Sequence, residues 1–165
     1  MATVLVVKPK LIVFDLDYTL WPFWVDTHVN PPFRKSSSGS IVDSTGATVK
    51  CYKEVPKVLE KLKQDGYILG VASRTSEIRG AMQLIELFGW AKYFTYKEIY
   101  PGKKTTHFAN FRKQSGIQYK DMLFFDDENR NIKDLKGEGV TSILVQDGVT
   151  EKVVENGLKE YAQCC

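Results

Sequence analysis

Residues 11 to 20 read Leu-Ile-Val-Phe-Asp-Leu-Asp-Tyr-Thr-Leu. Leu11 to Phe14 is a continuous apolar run, the pattern of a strand buried on both faces. It ends in two carboxylates, Asp15 and Asp17. Burying unpaired charge is expensive, so a buried strand ending in two acids needs something there that wants negative charge. A turn or capping role accounts for one Asp and poorly for two. In open parallel sheets, ligands bind beyond the carboxyl ends of the strands. The pair is therefore a candidate site.

Outward from this stretch, apolar runs alternate with helical periods. Segments 67–72, 93–96, 122–125 and 141–145 read as further strands. Segment 54–64 reads as a helix, with Val55, Val58, Leu59 and Leu62 on one face and Gly66 behind it. Ser76 is placed to cap a second helix running to Phe88, with Ile78, Met82, Ile85 and Phe88 inward and Gly89 as its stop. Segment 104–115 is helical with Phe108 and Phe111 inward, and 129–136 is a short helix. Segment 150–162 is the last, with Val153, Val154, Leu158 and Tyr161 inward. Between the first strand and first helix, 22–53 is an irregular insert rich in Pro and Ser. There 40–43 and 47–52 flank Ser44-Thr45-Gly46 as a β-hairpin. The β-α-β-α order predicts an α/β fold: a doubly wound, mostly parallel, Rossmann-like sheet with helices on both faces. A hairpin insert leaves only a minimal cap. One domain covers 1–165.

The composition narrows the function classes. The chain has 165 residues, with 23 basic and 20 acidic side chains for a net charge of +3. That near balance argues against a nucleic-acid partner, and Lys8-Pro9-Lys10 and Lys103-Lys104 are too short for a basic patch. No apolar stretch is long enough to span a membrane, and Val4 to Val7 is too short for a signal-peptide core. Three cysteines, Cys51, Cys164 and Cys165, fit neither a disulfide framework nor a zinc site. No polybasic run precedes the terminal Cys-Cys to support a lipid anchor. The expectation is a cytoplasmic protein without stable membrane association.

Right-handed crossovers bring the strand ends to one edge. Asp15, Asp17, Ser73, Asp126 and Asp127 each follow a strand, so they should converge, with one or two lysines beside them. Hard oxygen ligands suit Mg²⁺, which is usually held by one or two carboxylates plus a substrate phosphate. Ser73, the N–H groups after it and the start of the Ser76 helix could bind phosphate oxygens. A carboxylate approaching a phosphate faces roughly 4 kcal/mol per unit-charge pair at about 4 Å and an effective dielectric of about 20. A metal and a lysine together offset that repulsion.

Four motifs in order carry a family resemblance. Asp15-Leu-Asp17-Tyr-Thr19, Ser73, Lys104 and Asp126-Asp127 resemble the four motifs of the haloacid dehalogenase superfamily of aspartate-nucleophile phosphatases. The strings Phe14-Asp-Leu-Asp-Tyr-Thr-Leu-Trp-Pro-Phe-Trp24, Ala72-Ser-Arg-Thr75, Glu98-Ile-Tyr-Pro-Gly102 and Phe124-Phe-Asp-Asp-Glu-Asn-Arg-Asn-Ile132 look closest to its small magnesium-dependent phosphatases. The resemblance implies Asp15 as nucleophile and Mg²⁺ ligand. It implies Asp17 as general acid and base, with its carbonyl on the metal, and Asp127 as a further metal ligand. Asp126 and Asn131 would support the site, Asn131 reaching the metal through water. Ser73 and Lys104 would hold the phosphate, although adjacent Lys103 leaves the lysine open by one position; Arg74, next to Ser73, is placed to reach either the substrate phosphate or an acid. The implied reaction is phosphomonoester hydrolysis through an aspartyl-phosphate. The implied substrates are phosphotyrosine-type or fructosamine 6-phosphate esters, free or on a phosphorylated or glycated protein.

Other residues carry bland expectations. Tyr18, Trp21, Phe23 and Trp24 crowd the exit of the first strand, either as an aromatic wall for an aryl leaving group or, slightly preferred, as packing under the hairpin. Asp26 and His28 lack a third ligand and read as surface. His107 reads as a helix-surface histidine, and Cys51 as inert on a strand. Two rival readings stand beside the phosphatase. A signalling receiver domain carries its phosphoacceptor on a later, central strand. A non-enzymatic phosphoprotein-binding module would lack a catalytic position, and none is missing here.

Overall fold

A computed structural model describes residues 7–163 of the chain. Five parallel strands form the central sheet: β1 (Leu11–Phe14), β4 (Ile68–Ser73), β5 (Phe94–Ile99), β6 (Met122–Asp126) and β7 (Thr141–Leu144). Their order is β5-β4-β1-β6-β7, so β1 is central and the winding direction reverses there. That reversal opens a crevice beyond the carboxyl end of β1. In register, Phe14 pairs with Val71 on one side and Phe125 on the other, so Asp15 leaves the sheet level with Ala72 and Asp126.

The two faces of β1 bury different cores. Ile12 and Phe14 join the cluster under α1 (Val55–Gln64), α2 (Ile78–Leu87) and α5 (Glu151–Gln163). Leu11 and Val13 join Phe108, Phe111, Ile132 and Leu135 under α3 (Lys104–Ser115) and α4 (Asn129–Gly137). All four β1 side chains are fully buried, as a central strand flanked on both faces requires. Phe14 stacks on Phe125 with ring centroids 5.2 Å apart, tying β1 to β6 below the site.

Three expectations need correction. The turn at Ser44-Thr45-Gly46 forms, with the Gly46 N–H donating to Asp43 O, but little ladder follows it. The two-stranded sheet is β2 (Arg34–Lys35) with β3 (Ile41–Val42), and Cys51 lies in no strand. The expected pairing is short, with the Asp43 N–H donating to Ala47 O and the Val49 N–H to Ile41 O around a Val42–Thr48 bridge. The Asp43 carboxylate explains this, since it accepts from the Thr45 and Ala47 N–H groups and so replaces ladder partners. In α2 the cap is Glu77 rather than Ser76, and its carboxylate accepts from the Gly80 N–H. Ser73 Oγ accepts from the Thr75 N–H and Thr75 Oγ1 from the Glu77 N–H, and these consecutive turns delay the helix. The inward face of α2 is Gly80, Ala81, Leu84 and Ile85, while Ile78 and Met82 are 42% and 39% exposed. Cys164 and Cys165, for which lipidation was weighed, lie outside the described residues.

Candidate active site

Beyond β1 the chain makes a tight reversal. Thr19 and Leu20 N–H groups return to Leu16 O, and the Tyr18 N–H donates to Trp21 O at 2.7 Å. Tyr18 takes a left-handed backbone with φ of +57°, unusual for a bulky side chain. Strain of this kind costs about 1–3 kcal/mol and is held by its surroundings. The reversal turns both Asp15 and Asp17 to a cleft of about 330 Å³, also bordered by Ser73, Arg74, Lys104, Asp127 and Asn131. The site residues expected from the sequence therefore converge, with Asp126 directly beneath them.

Lys104, not Lys103, is the inward lysine. Its Nζ donates at 2.7 Å to both Asp15 Oδ1 and Asp126 Oδ2, and it is fully buried. Thr19 Oγ1 donates to the other Asp15 oxygen at 3.1 Å. Asp126 is saturated, since Asn131 Nδ2 and the Glu128 N–H also donate to it. One oxygen from each of Asp15, Asp126 and Asp127 lies within 4.8 Å of the others. Three carboxylates thus cluster together, and one ammonium pairs with two of them. Burial, then repulsion from Asp126, holds Asp15 well above the ordinary carboxylate range, against the opposing pull of Lys104. Burial also lifts Asp127, to about 6. Burial would lower Lys104, but Asp15 and Asp126 together outweigh it and raise the lysine instead. An all-oxygen cluster carrying more negative than positive charge fits a hard divalent cation such as Mg²⁺.

Asp17 is held differently. Its Oδ1 accepts from Trp21 Nε1 at 2.7 Å and from the Val25 N–H at 3.1 Å, while Oδ2 has no hydrogen bond among the described residues. Burial raises its pKa despite those two bonds, which lower it. One oxygen is therefore anchored and the other is available to hold a proton at the cleft. The phosphate-binding expectation for the second helix needs revision, because the Glu77 carboxylate already occupies the N-terminus of α2. Ser73 itself reaches the cleft, and Arg74 borders it with a buried Nε that has no hydrogen-bond partner.

His107 is not on the surface. It is fully buried, with Nε2 at 2.9 Å from both Ser73 O and Tyr100 O and Nδ1 at 3.1 Å from Lys103 O. It also stacks on Tyr100 at 4.2 Å, bracing the ends of β4 and β5 against the start of α3. The signal lay in the spacing. Lys104, His107, Phe108 and Phe111 form an i, i+3, i+4, i+7 stripe, and all four are buried. The aromatic cluster divides. Trp21 and Phe23 are core, stacked at 5.4 Å, whereas Trp24 is 49% exposed on the cleft wall.

The acid phosphatase family model matches residues 7–164. The chain is 54% identical to human magnesium-dependent phosphatase 1, over 94% of this chain and 88% of that protein. It is 40% identical to a HAD-like hydrolase superfamily protein of Schizosaccharomyces pombe, over 91% and 89% of the two chains. The crystal structure of a predicted phosphatase from Clostridium acetobutylicum shares the fold, with a TM-score of 0.62 at 20% identity over 91% of each chain. The chain belongs to the acid phosphatase family of the haloacid dehalogenase superfamily, beside the magnesium-dependent phosphatases.

Proposed function

We propose that this phosphatase hydrolyses phosphate monoesters with Mg²⁺, through a phosphoryl group carried transiently by Asp15. The observation that carries the reading is the clustering of the Asp15, Asp126 and Asp127 carboxylates at the end of the central strand, two of them paired with a single buried lysine. The human relative is named as magnesium-dependent. Asp15, Asp127 and the Asp17 carbonyl would hold the ion, with Asp126 and Asn131 supporting them. When bound, Mg²⁺ offsets the repulsion between carboxylate and phosphate.

The residues then act in sequence. Ser73, Arg74 and Lys104 bind and orient the phosphate. An Asp15 oxygen attacks phosphorus in line, its bond forming as the ester P–O bond breaks. Asp17 donates its proton to the departing ester oxygen. It then takes a proton from water, whose oxygen attacks the aspartyl-phosphate and releases inorganic phosphate. The raised pKa of Asp17 suits the first of these transfers.

The substrate class is a phosphotyrosine-type or sugar-phosphate ester such as fructosamine 6-phosphate, free or borne on a protein. Among the described residues, the insert between β1 and α1 holds only the two-stranded sheet, which supports an uncapped cleft open to bulky substrates. No helix among the described residues is long and apolar enough to cross a membrane. Free Cys51 suits the reducing cytoplasm as its setting.

Turnover of an aryl phosphate in Mg²⁺ and in chelator tests the reading, alongside Asp15→Asn. Activity that needs Mg²⁺ and vanishes in the variant is expected. Full activity in chelator, or in Asp15→Asn, overturns it. Comparing phosphotyrosine, fructosamine 6-phosphate and simple sugar phosphates ranks the substrates.

A further inference from the structure

We infer that Trp24, braced by His28 and Tyr18, is a platform that selects planar, aryl leaving groups. The inference rests on the phosphatase reading and deepens it. Trp24 is the most exposed of the large hydrophobic side chains among the described residues, at 49%, and it borders the cleft that holds Asp15, Asp17 and Lys104.

The ring is fixed rather than loose. His28 stacks on it at 5.1 Å with planes only 13° apart, and Tyr18 meets it edge-on at 5.7 Å and 85°. The backbone repeats the bracing: the Trp24 N–H donates to His28 Nδ1 and the His28 N–H donates to Trp24 O, each at 2.9 Å. A preorganised ring loses little freedom when a substrate covers it.

Its position is tied to the chemistry. The next residue, Val25, donates its N–H to Asp17 Oδ1, so the indole is set at a fixed offset from the proposed proton donor. The ester oxygen must come to Asp17, and because Trp24 lines the same cleft, the group attached to that oxygen has the indole as one wall. A flat aryl ring can stack there over its whole face, and a short aliphatic chain such as that of phosphoserine cannot. The neighbouring aromatics behave otherwise, because Trp21 is buried against Trp90 and Phe88, and Phe23 is buried against Trp21.

The test is the ratio of kcat/KM for phosphotyrosine to that for phosphoserine, measured with Mg²⁺ in wild type, Trp24→Ala and Trp24→Phe. The ratio should fall about tenfold in Trp24→Ala, the upper range for an aromatic pair, and chiefly through KM for the aryl ester. Trp24→Phe should restore most of it. A ratio that stays within about twofold in Trp24→Ala overturns the platform while leaving the phosphatase reading intact. Wild-type protein that turns over neither ester overturns the platform, and the phosphatase reading falls with it only if fructosamine 6-phosphate and simple sugar phosphates are not turned over either.

Discussion

At the scale of single residues, the site is an exercise in unequal charge. Lys104 faces two carboxylates at 2.7 Å, and all three groups are buried. Removing one partner of a buried ion pair leaves an uncompensated charge, so Lys104→Met in metal-free buffer should cost about 3–5 kcal/mol in urea unfolding. Because the lysine pKa is raised, its stabilisation is complete below its unfolded value and fades only as pH rises through the higher folded one. The lysine itself stays charged across neutral pH, but its loss leaves Asp15 ionising without its partner, so the cost should grow as pH rises, and a variant as stable as wild type would contradict the assignment. Asp43 is the opposite case. The Thr45 hydroxyl, with N–H groups of Asn30, Thr45 and Ala47, holds it down at about 2. Its contribution is present above the unfolded value and is lost as pH falls toward the folded one. Wild type should lose stability between about pH 4 and pH 2 that Asp43→Ala has already lost. Parallel acid profiles for the two proteins, read from urea midpoints, would remove the turn from the account.

At the scale of elements, packing decides what local pattern leaves open. Gly157 lies in α5 where an added Cβ would meet the Phe125 ring at 2.6 Å and Ile143 at 3.3 Å. A helical Gly→Ala change ordinarily gains up to about 1 kcal/mol. Here the ring it would displace is stacked on Phe14, so overpacking at about 1–3 kcal/mol should win. Gly157→Ala is expected to lower the melting temperature, and a raised one would show that α5 can shift away. The same logic explains which elements were legible. β1 and α1 carry single, strong patterns and appear as read, while α3 has the expected span but buries His107 as well as the two phenylalanines. Helix α2 carries two apolar stripes, and the choice between them falls to Phe33, which lies near Gly80 and whose N–H donates to Gln83. That contact comes from the insert, 50 residues away in sequence, and no local period contains it. His107 was legible in principle, because placing Lys104 inward places it inward too.

At the scale of the whole molecule, the fold's main act is to gather acids. The order β5-β4-β1-β6-β7 makes β1 and β6 neighbours, so Asp15 and Asp127, far apart in sequence, share one site. The motif order alone makes this convergence legible. The bracing by His107, the saturation of Asp126 and the division of the aromatic cluster need tertiary contacts. The gathered charge also has a thermodynamic signature. Without metal, burial and mutual repulsion raise Asp15, and raise Asp127 to about 6. A carboxyl with a raised folded pKa binds its proton more tightly folded than unfolded. It therefore favours folding at low pH and opposes it increasingly as pH rises through the unfolded value toward the folded one. Chelator-treated protein should lose stability from this cluster across that window. A divalent cation bound to the ionised carboxylates relieves the penalty and stabilises by mass action. Mg²⁺ should consequently raise the melting temperature more at about pH 8 than at about pH 5, where Asp127 still holds its proton. Asp127→Asn should shrink the Mg²⁺ effect at the higher pH. An Mg²⁺-induced shift of the same size at both pH values would mean that the ion is not held by these carboxylates.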